Sequence, residues 1–282
     1  MKPVVIQKKK PKQPLQLKLE HIFGVPYQAV IIILIFIPIV LMLIYSFESR
    51  DATQSFSLVF TFDNYLRFFN EPIFISLMAE SIGLAAMSTV TTLLIGYPLA
   101  LIIARSRAKV KMLLILLVTA PMWINMLLRT RALQQLFEML APELLGTNTA
   151  IVVGMTYNYL PFMVLPIYTI LSKIDDALYE SAADLGANKI QTLFRVIIPL
   201  SISGILSGIM MVFLPAATTL VIPKYLGESR YLIGNLIENA MIQQGDFGYG
   251  SAIALVMAGL ILVFLYVIKK VDTYQGVNDE DL

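Results

Sequence analysis

The stretch SKIDDALYESAADLGANKIQTLFRVIIPLSISGI, from Ser172 to Ile205, decides how the rest of the chain is read. It begins polar and charged, yet it joins two apolar runs, 149–172 and 197–222, each long enough to cross a bilayer as a helix. Ile174, Leu178, Ala182 and Leu185 recur three and four residues apart, so they share one helical face. Ile190, Leu193, Phe194 and Ile197 repeat the pattern after Gly186. Asp175 and Asp176 suit the free N–H groups at a helix start. Gly186 fits a turn or a close backbone approach. Pro199 falls where the next span opens and a missing N–H costs least. The pattern predicts two short amphipathic helices projecting between spans. A helix lying on a membrane surface usually carries a lysine-rich polar face. This one carries Glu180 and Asp184, one turn apart, with only Lys189 and Arg195 beyond. A partner protein offering a groove fits that face better.

Working outward, the chain reads as all-α and polytopic, with six transmembrane helices at 27–47, 73–104, 112–131, 149–172, 197–222 and 250–268. Hydrophobic residues make up 57% and charged residues only 14%, too few to cover a water-facing surface. Pro98, Pro121, Pro161, Pro166 and Pro215 inside the spans are tolerated because neighbouring helices can re-satisfy the freed backbone groups. Lys8, Lys9, Lys10 and Lys12 precede an apolar run from Ala29 to Phe47, which is too long for a signal-peptide core and reads as the first span. A net charge of +2 is too small to imply a nucleic-acid partner, and none is expected. The absence of cysteine excludes disulfides and thiolate chemistry.

Lysine and arginine set the orientation. With the N-terminus in the cytoplasm, 15 of the 21 basic residues fall in inner segments. Both termini are then cytoplasmic and the number of spans is even. The expected organisation is a basic N-terminal segment 1–26, a permeation domain 27–268 containing the loop 173–199, and a tail 269–282. The outer segments hold nine carboxylates, from Glu48 and Asp51 to Glu238 and Asp246, against six basic residues. That mild acidity is either an ordinary solvated surface or a face suited to a cationic solute or a basic docking surface.

Glu180-Ser181-Ala182, then Gly186, then Val196-Ile197-Ile198-Pro199 resembles the EAA loop of ABC-importer permeases. The Glu, the second Ala, the Gly and the Pro are in register; Ser181, Val196 and Ile198 are conservative departures. Leu160-Pro161-Phe162-Met163-Val164-Leu165-Pro166, Ala183-Asp184-Leu185-Gly186-Ala187, Pro121-Met122-Trp123-Ile124-Asn125 and Phe62-Asp63-Asn64-Tyr65 resemble the B-type permeases of spermidine and putrescine importers. The resemblance covers about residues 25–270. It implies a type I, MetI-like permease fold in a bacterial cell membrane. It implies that Glu180, Ser181, Ala182, Ala183, Asp184, Leu185, Gly186 and Pro199 form the site that docks an ATPase. The implied partners are two ATPase subunits, a second permease subunit and an extracytoplasmic solute-binding protein.

No phosphate-binding Gly-x-x-x-x-Gly-Lys-Ser/Thr loop occurs, so energy must come from a partner or an ion gradient. The lone histidine, His21, makes no metal cluster, and no catalytic constellation or cofactor site is visible. The chain is expected not to be an enzyme. Candidate pathway residues are Glu80, the one carboxylate inside a predicted span, with Trp123 and Asn125 in span three, and Tyr157 and Asn158 in span four. Each has a structural reading too: headgroup exposure for Glu80, helix packing for Trp123 and Asn125, interface anchoring for the tyrosine. Gly204 and Gly208 in span five, and Gly83, Ser88, Thr92 and Gly96 in span two, are expected to pack helices closely. The segment from Ile233 to Ile242 is expected to form a short helix against the membrane. An importer permease for polyamines is the leading reading. The alternatives are a permease for another small solute and a proton-coupled carrier.

Overall fold

A computed structural model of the chain describes residues 16–48, 60–228 and 230–280. Among them every regular element is helical, apart from one bridge between Glu48 and Phe60. In chain order the α-helices are α1 Gln16–Ser46, α2 Asp63–Asn70, α3 Pro72–Arg105, α4 Ala108–Thr119, α5 Met126–Leu140, α6 Asn148–Leu171, α7 Asp176–Asp184, α8 Lys189–Thr192, α9 Ile198–Leu200, α10 Ile202–Ala217, α11 Val221–Leu226, α12 Ile233–Glu238 and α13 Phe247–Glu280. A 3-10 turn, Ala120–Trp123, follows α4, and π turns occupy Leu193–Ile197 and Asn239–Gln243. Residues 1–15 of the expected N-terminal segment lie outside the described residues, as do Arg50, Asp51 and the side chain of His21.

Among the described residues, three helices are long and apolar enough to cross a membrane: Pro72–Arg105, Asn148–Leu171 and Phe247–Ile268. They coincide with expected spans two, four and six. Spans three and five were expected to be continuous, and both are broken. Ala108–Trp123 meets Met126–Leu140 at 98°, and Lys189–Leu200 meets Ile202–Ala217 at 69°. The first break has a local cause. Asn125 leaves helical geometry and its side chain accepts from Leu127 N at 2.8 Å, which starts a new helix instead of continuing the old one. Span five also ends early: α10 stops at Ala217, and Val221 opens α11. The first span corresponds to the apolar part of α1, Val30–Ser46.

The core is the triangle of α3, α6 and α10. Leu84, Ala100 and Ile103 from α3 meet Ile151, Met155, Met163 and Ile167 from α6, and Val212, Phe213 and Ala216 from α10, all buried. In lipid there is little hydrophobic drive between helices, so close van der Waals approach must hold them. Glycine provides it. A Cβ on Gly208 would stand 2.7 Å from Met163 Sδ and 3.2 Å from Met163 O. One on Gly204 would stand 3.1 Å from Pro166 O. Gly96, Ser88 and Thr92 likewise face inward. Gly83 does not: a Cβ there would meet nothing within 4 Å, so it has no packing role in this chain.

Around this triangle α1 and α13 pack along each other. A Cβ on Gly248 would lie 3.1 Å from Tyr45 O and 3.2 Å from Glu48 O, so α13 begins where α1 ends and the two run antiparallel. Helix α2 fastens that junction. Asn64 Nδ2 donates to Ser46 O at 3.1 Å and Glu48 O at 3.0 Å, and Arg67 pairs with Asp246 at 3.1 Å while stacking over the Tyr249 ring. The segment expected to lie against the membrane packs inward instead. Ile233 is fully buried and its N–H donates to Ser81 Oγ at 2.9 Å; only the far end, Ile242, is exposed.

Candidate functional site

The loop from Ser172 to Pro199 folds as the pattern predicts: a helix, a corner and a second short helix. Asp175 caps α7 by accepting from Ala177 N at 3.0 Å, which satisfies one orphan donor of the first turn. The helix ends in a Schellman arrangement. Gly186 N donates to Ala183 O at 2.9 Å, Ala187 N donates to Ala182 O at 3.0 Å, and Gly186 takes φ +81°. Space around Gly186 is open, so its glycine is required by backbone conformation and not by a close neighbour. Two residues later Asn188 opens α8 with a capping box: Gln191 N donates to Asn188 Oδ1 and Asn188 N to Gln191 Oε1, both at 2.9 Å. The result is a rigid corner with almost no slack between the helices.

Ala182 is the only fully buried residue of α7. Glu180, Ser181, Ala183, Asp184, Gly186 and Pro199 are exposed, and neither Glu180 nor Asp184 makes an ion pair or hydrogen bond among the described residues. Leu185 was expected on the same helical face as Ala182. It sits instead at the C-cap, outside the helical repeat, and is 89% exposed. Ile190 and Phe194 are also exposed, at 68% and 63%. Three large apolar side chains therefore surround the corner beside unpaired carboxylates.

The inner side of α7 is held by Arg105, the last residue of α3, which the sequence reading did not single out. Its guanidinium pairs with the Asp176 carboxylate and lies over the Tyr179 ring, 3.1 Å from the centroid. Burial pushes the Tyr179 hydroxyl above the ordinary tyrosine value; Arg105 opposes the rise and Asp176 adds to it. Two turns up α3, Tyr97 shares a buried 3.0 Å hydrogen bond with Ser201, at the break between α9 and α10.

The five pathway candidates are not brought together. Glu80 is bound by Arg230 at 3.0 Å, and the same guanidinium nitrogen also donates to Asn148 Oδ1. Trp123 is 88% exposed at the end of the 3-10 turn. Asn125, expected within a span, spends its amide oxygen capping α5. Tyr157 and Asn158 are neighbours on α6 and therefore point about 100° apart: Tyr157 faces outward, whereas Asn158 is buried and donates to Gly154 O at 2.9 Å and Thr130 Oγ1 at 3.3 Å. The cleft between α6 and α10, about 510 Å³, is lined by other residues, among them Met122, Phe162, Leu165, Ser207 and Met211.

Residues 96–273, which include the whole corner, match the family described as "Binding-protein-dependent transport system inner membrane component". The chain belongs to that family. It is 34% identical over 254 residues to the spermidine/putrescine transport system permease protein PotB of Haemophilus influenzae, across 84% of this chain and 88% of that protein. It is also 34% identical to PotB of Escherichia coli K12, across 83% of this chain and 92% of that protein. The Escherichia coli inner membrane ABC transporter permease protein YdcU is 27% identical over 259 residues, covering 82% of each. The fold is that of a solved bacterial ABC transporter involved in importing the acidic polysaccharide alginate: TM-score 0.66 at 16% identity, over 93% of this chain and 99% of that one. A second structure of an alginate transporter, in complex with a periplasmic protein carrying an alginate pentasaccharide, matches with TM-score 0.63 at 15% identity, over 90% of this chain and 94% of that one. This family member is thus an inner-membrane transport component with the helical fold of an ABC-importer permease.

Proposed function

We propose that this permease forms half of the translocation pathway of an ATP-driven importer for spermidine and putrescine, and that the α7–α8 corner is where an ATPase subunit docks. One observation carries the docking: a rigid, capped corner that presents Leu185, Ile190 and Phe194 to solvent beside the unpaired Glu180 and Asp184. An isolated chain gains nothing from exposing those side chains, whereas a groove on a partner would bury them. The substrate class rests on the similarity to the PotB proteins. Two ATPase subunits, a second permease and a solute-binding protein complete the importer. ATP-driven closure of the ATPase pair pulls the corners together, and the helix bundles rock between inward and outward access. A proton-coupled carrier is less well supported, because Glu80, the carboxylate it would rely on, is already held by Arg230.

The chain has no cysteine, so Ser181→Cys introduces a single thiol at the corner. Cross-linking in intact cells is expected to join it to a nucleotide-hydrolysing subunit, and radiolabelled spermidine uptake is expected to stop when that subunit's ATPase is inactivated. Uptake that persists without hydrolysis would sink the proposal.

A further inference from the structure

Helix α7 reaches the core by three routes. Two are covalent: the short link 172–175 joins it to α6, and α8, the π turn and α9 lead to α10. The third crosses space to α3, where Arg105 makes the one ion pair between the two helices among the described residues. Arg105 closes the last turn of α3, where a cation suits the free carbonyls. From there it holds both Asp176, in the first turn of α7, and Tyr179, three residues on. These two targets share one face of α7, so the guanidinium grips the helix by its inner side while the outer side stays free. Apart from its flanking segments, no other charged contact links α7 to the bundle among the described residues. The covalent route to α10 contains weak joints: a π turn at Leu193–Ile197, the short α9, and a 69° bend at Ser201. A π turn interrupts the α-helical hydrogen-bond register and is frequent at functional sites. The link 172–175 to α6 is non-helical as well, so force delivered to α7 meets an irregular stretch along either covalent route. Helix α3 offers a path that bypasses both. It is continuous over 34 residues, packs against both α6 and α10, and is tied by Tyr97 to Ser201 at the very bend the route to α10 must pass.

We infer that Arg105 is a positioning residue for energy coupling: it clamps α7 to α3 through Asp176 and Tyr179, so that movement of the docked ATPase enters the core through α3. The inference rests on α7 being the docking helix. On this reading the clamp makes the partner's movement useful.

The test uses the complete importer, both permeases, both ATPase subunits and the binding protein, reconstituted in proteoliposomes. ATP hydrolysis and spermidine uptake are measured on the same vesicles. Arg105→Gln is expected to leave ATPase hydrolysis and cross-linking through Ser181→Cys intact, while uptake per ATP falls by about five-fold or more, the lower end of a typical coupling energy. Tyr179→Phe keeps the ring and is expected to behave as wild type; Tyr179→Leu is expected to show part of the Arg105→Gln defect. Arg105→Lys keeps the charge and is expected to restore part of the ratio. An unchanged uptake-to-hydrolysis ratio in Arg105→Gln, with cross-linking intact, would overturn this inference alone. So would a parallel fall in both rates, which marks a merely structural role. Failure of Ser181→Cys to cross-link in the otherwise native importer would instead remove the docking reading, and this one with it.

Discussion

Replacing Gly186 separates backbone conformation from packing at the corner. Gly186 adopts φ +81°, and a Cβ placed there would meet nothing within 4 Å. Gly186→Ala therefore costs only the left-handed backbone penalty, about 1–2 kcal/mol for an L-residue. That energy falls on the Schellman turn, whose two hydrogen bonds are Gly186 N to Ala183 O and Ala187 N to Ala182 O. A local opening equilibrium shifts by about 5–30-fold for such an energy. Hydrogen–deuterium exchange of the Ala187 amide in the purified permease should report that factor directly. Asparagine visits the left-handed region far more readily, so Gly186→Asn should show a clearly smaller loss of protection. Gly186→Pro fixes φ near −65° and removes the donor to Ala183, so it should open the corner completely, with a cost of about 3 kcal/mol or more. Spermidine uptake should follow the order Gly, Asn, Ala, Pro, with membrane insertion unchanged throughout. Equal exchange in the Ala and Asn variants, or wild-type exchange in Gly186→Ala, would refute the claim that the turn is held by conformation.

Other outcomes follow from the same geometry. Gly208→Leu pushes a side chain against Met163 and should destabilise the α6–α10 contact by about 1–3 kcal/mol, seen as a lower thermal midpoint in detergent. Gly83→Ala, into open space, should change that midpoint by no more than about 0.5 kcal/mol equivalent. Glu180→Lys should abolish uptake without altering insertion or thermal stability, because the side chain is exposed and unpaired among the described residues; normal uptake would count against docking. Glu80→Gln, Arg230→Gln and the double variant form a thermal-stability cycle with an expected interaction of about 0.5–3 kcal/mol. Strict additivity would show that the pair does not hold α3 to the outer segment.

Much of this was legible in the residues, for definable reasons. Long apolar runs located α3, α6 and α13 because a bilayer demands a run of that length. The 3.6-residue repeat from Ile174 located α7, and Gly186 located its end. The capping box at Asn188 and Gln191 is carried by an equally readable Asn-x-x-Gln signal. Bends were not legible. Hydropathy measures how apolar a run is and carries no direction, so residues 126–131 passed as a continuation of α4 although α5 leaves at 98°. Pairings across the chain were not legible either. Arg105 is 71 residues from Asp176, and Arg230 is 150 residues from Glu80. Glu80 was notable as the one carboxylate inside a predicted span; only the fold supplies the cation that accounts for it. Leu185 was misjudged because periodicity was extended one residue past the helix, into the cap.

The antiparallel pairing of α1 with α13 has a practical reach. The junction with α2 gathers Ser46, Glu48 and Asp246 at one level, so Val30 on α1 and Ile268 on α13, each far from that junction, lie toward the same end of the helix pair. A fluorescent reporter after the last helix and an accessibility probe before the first should thus sample the same compartment, and a single topology assay at either position reads out both.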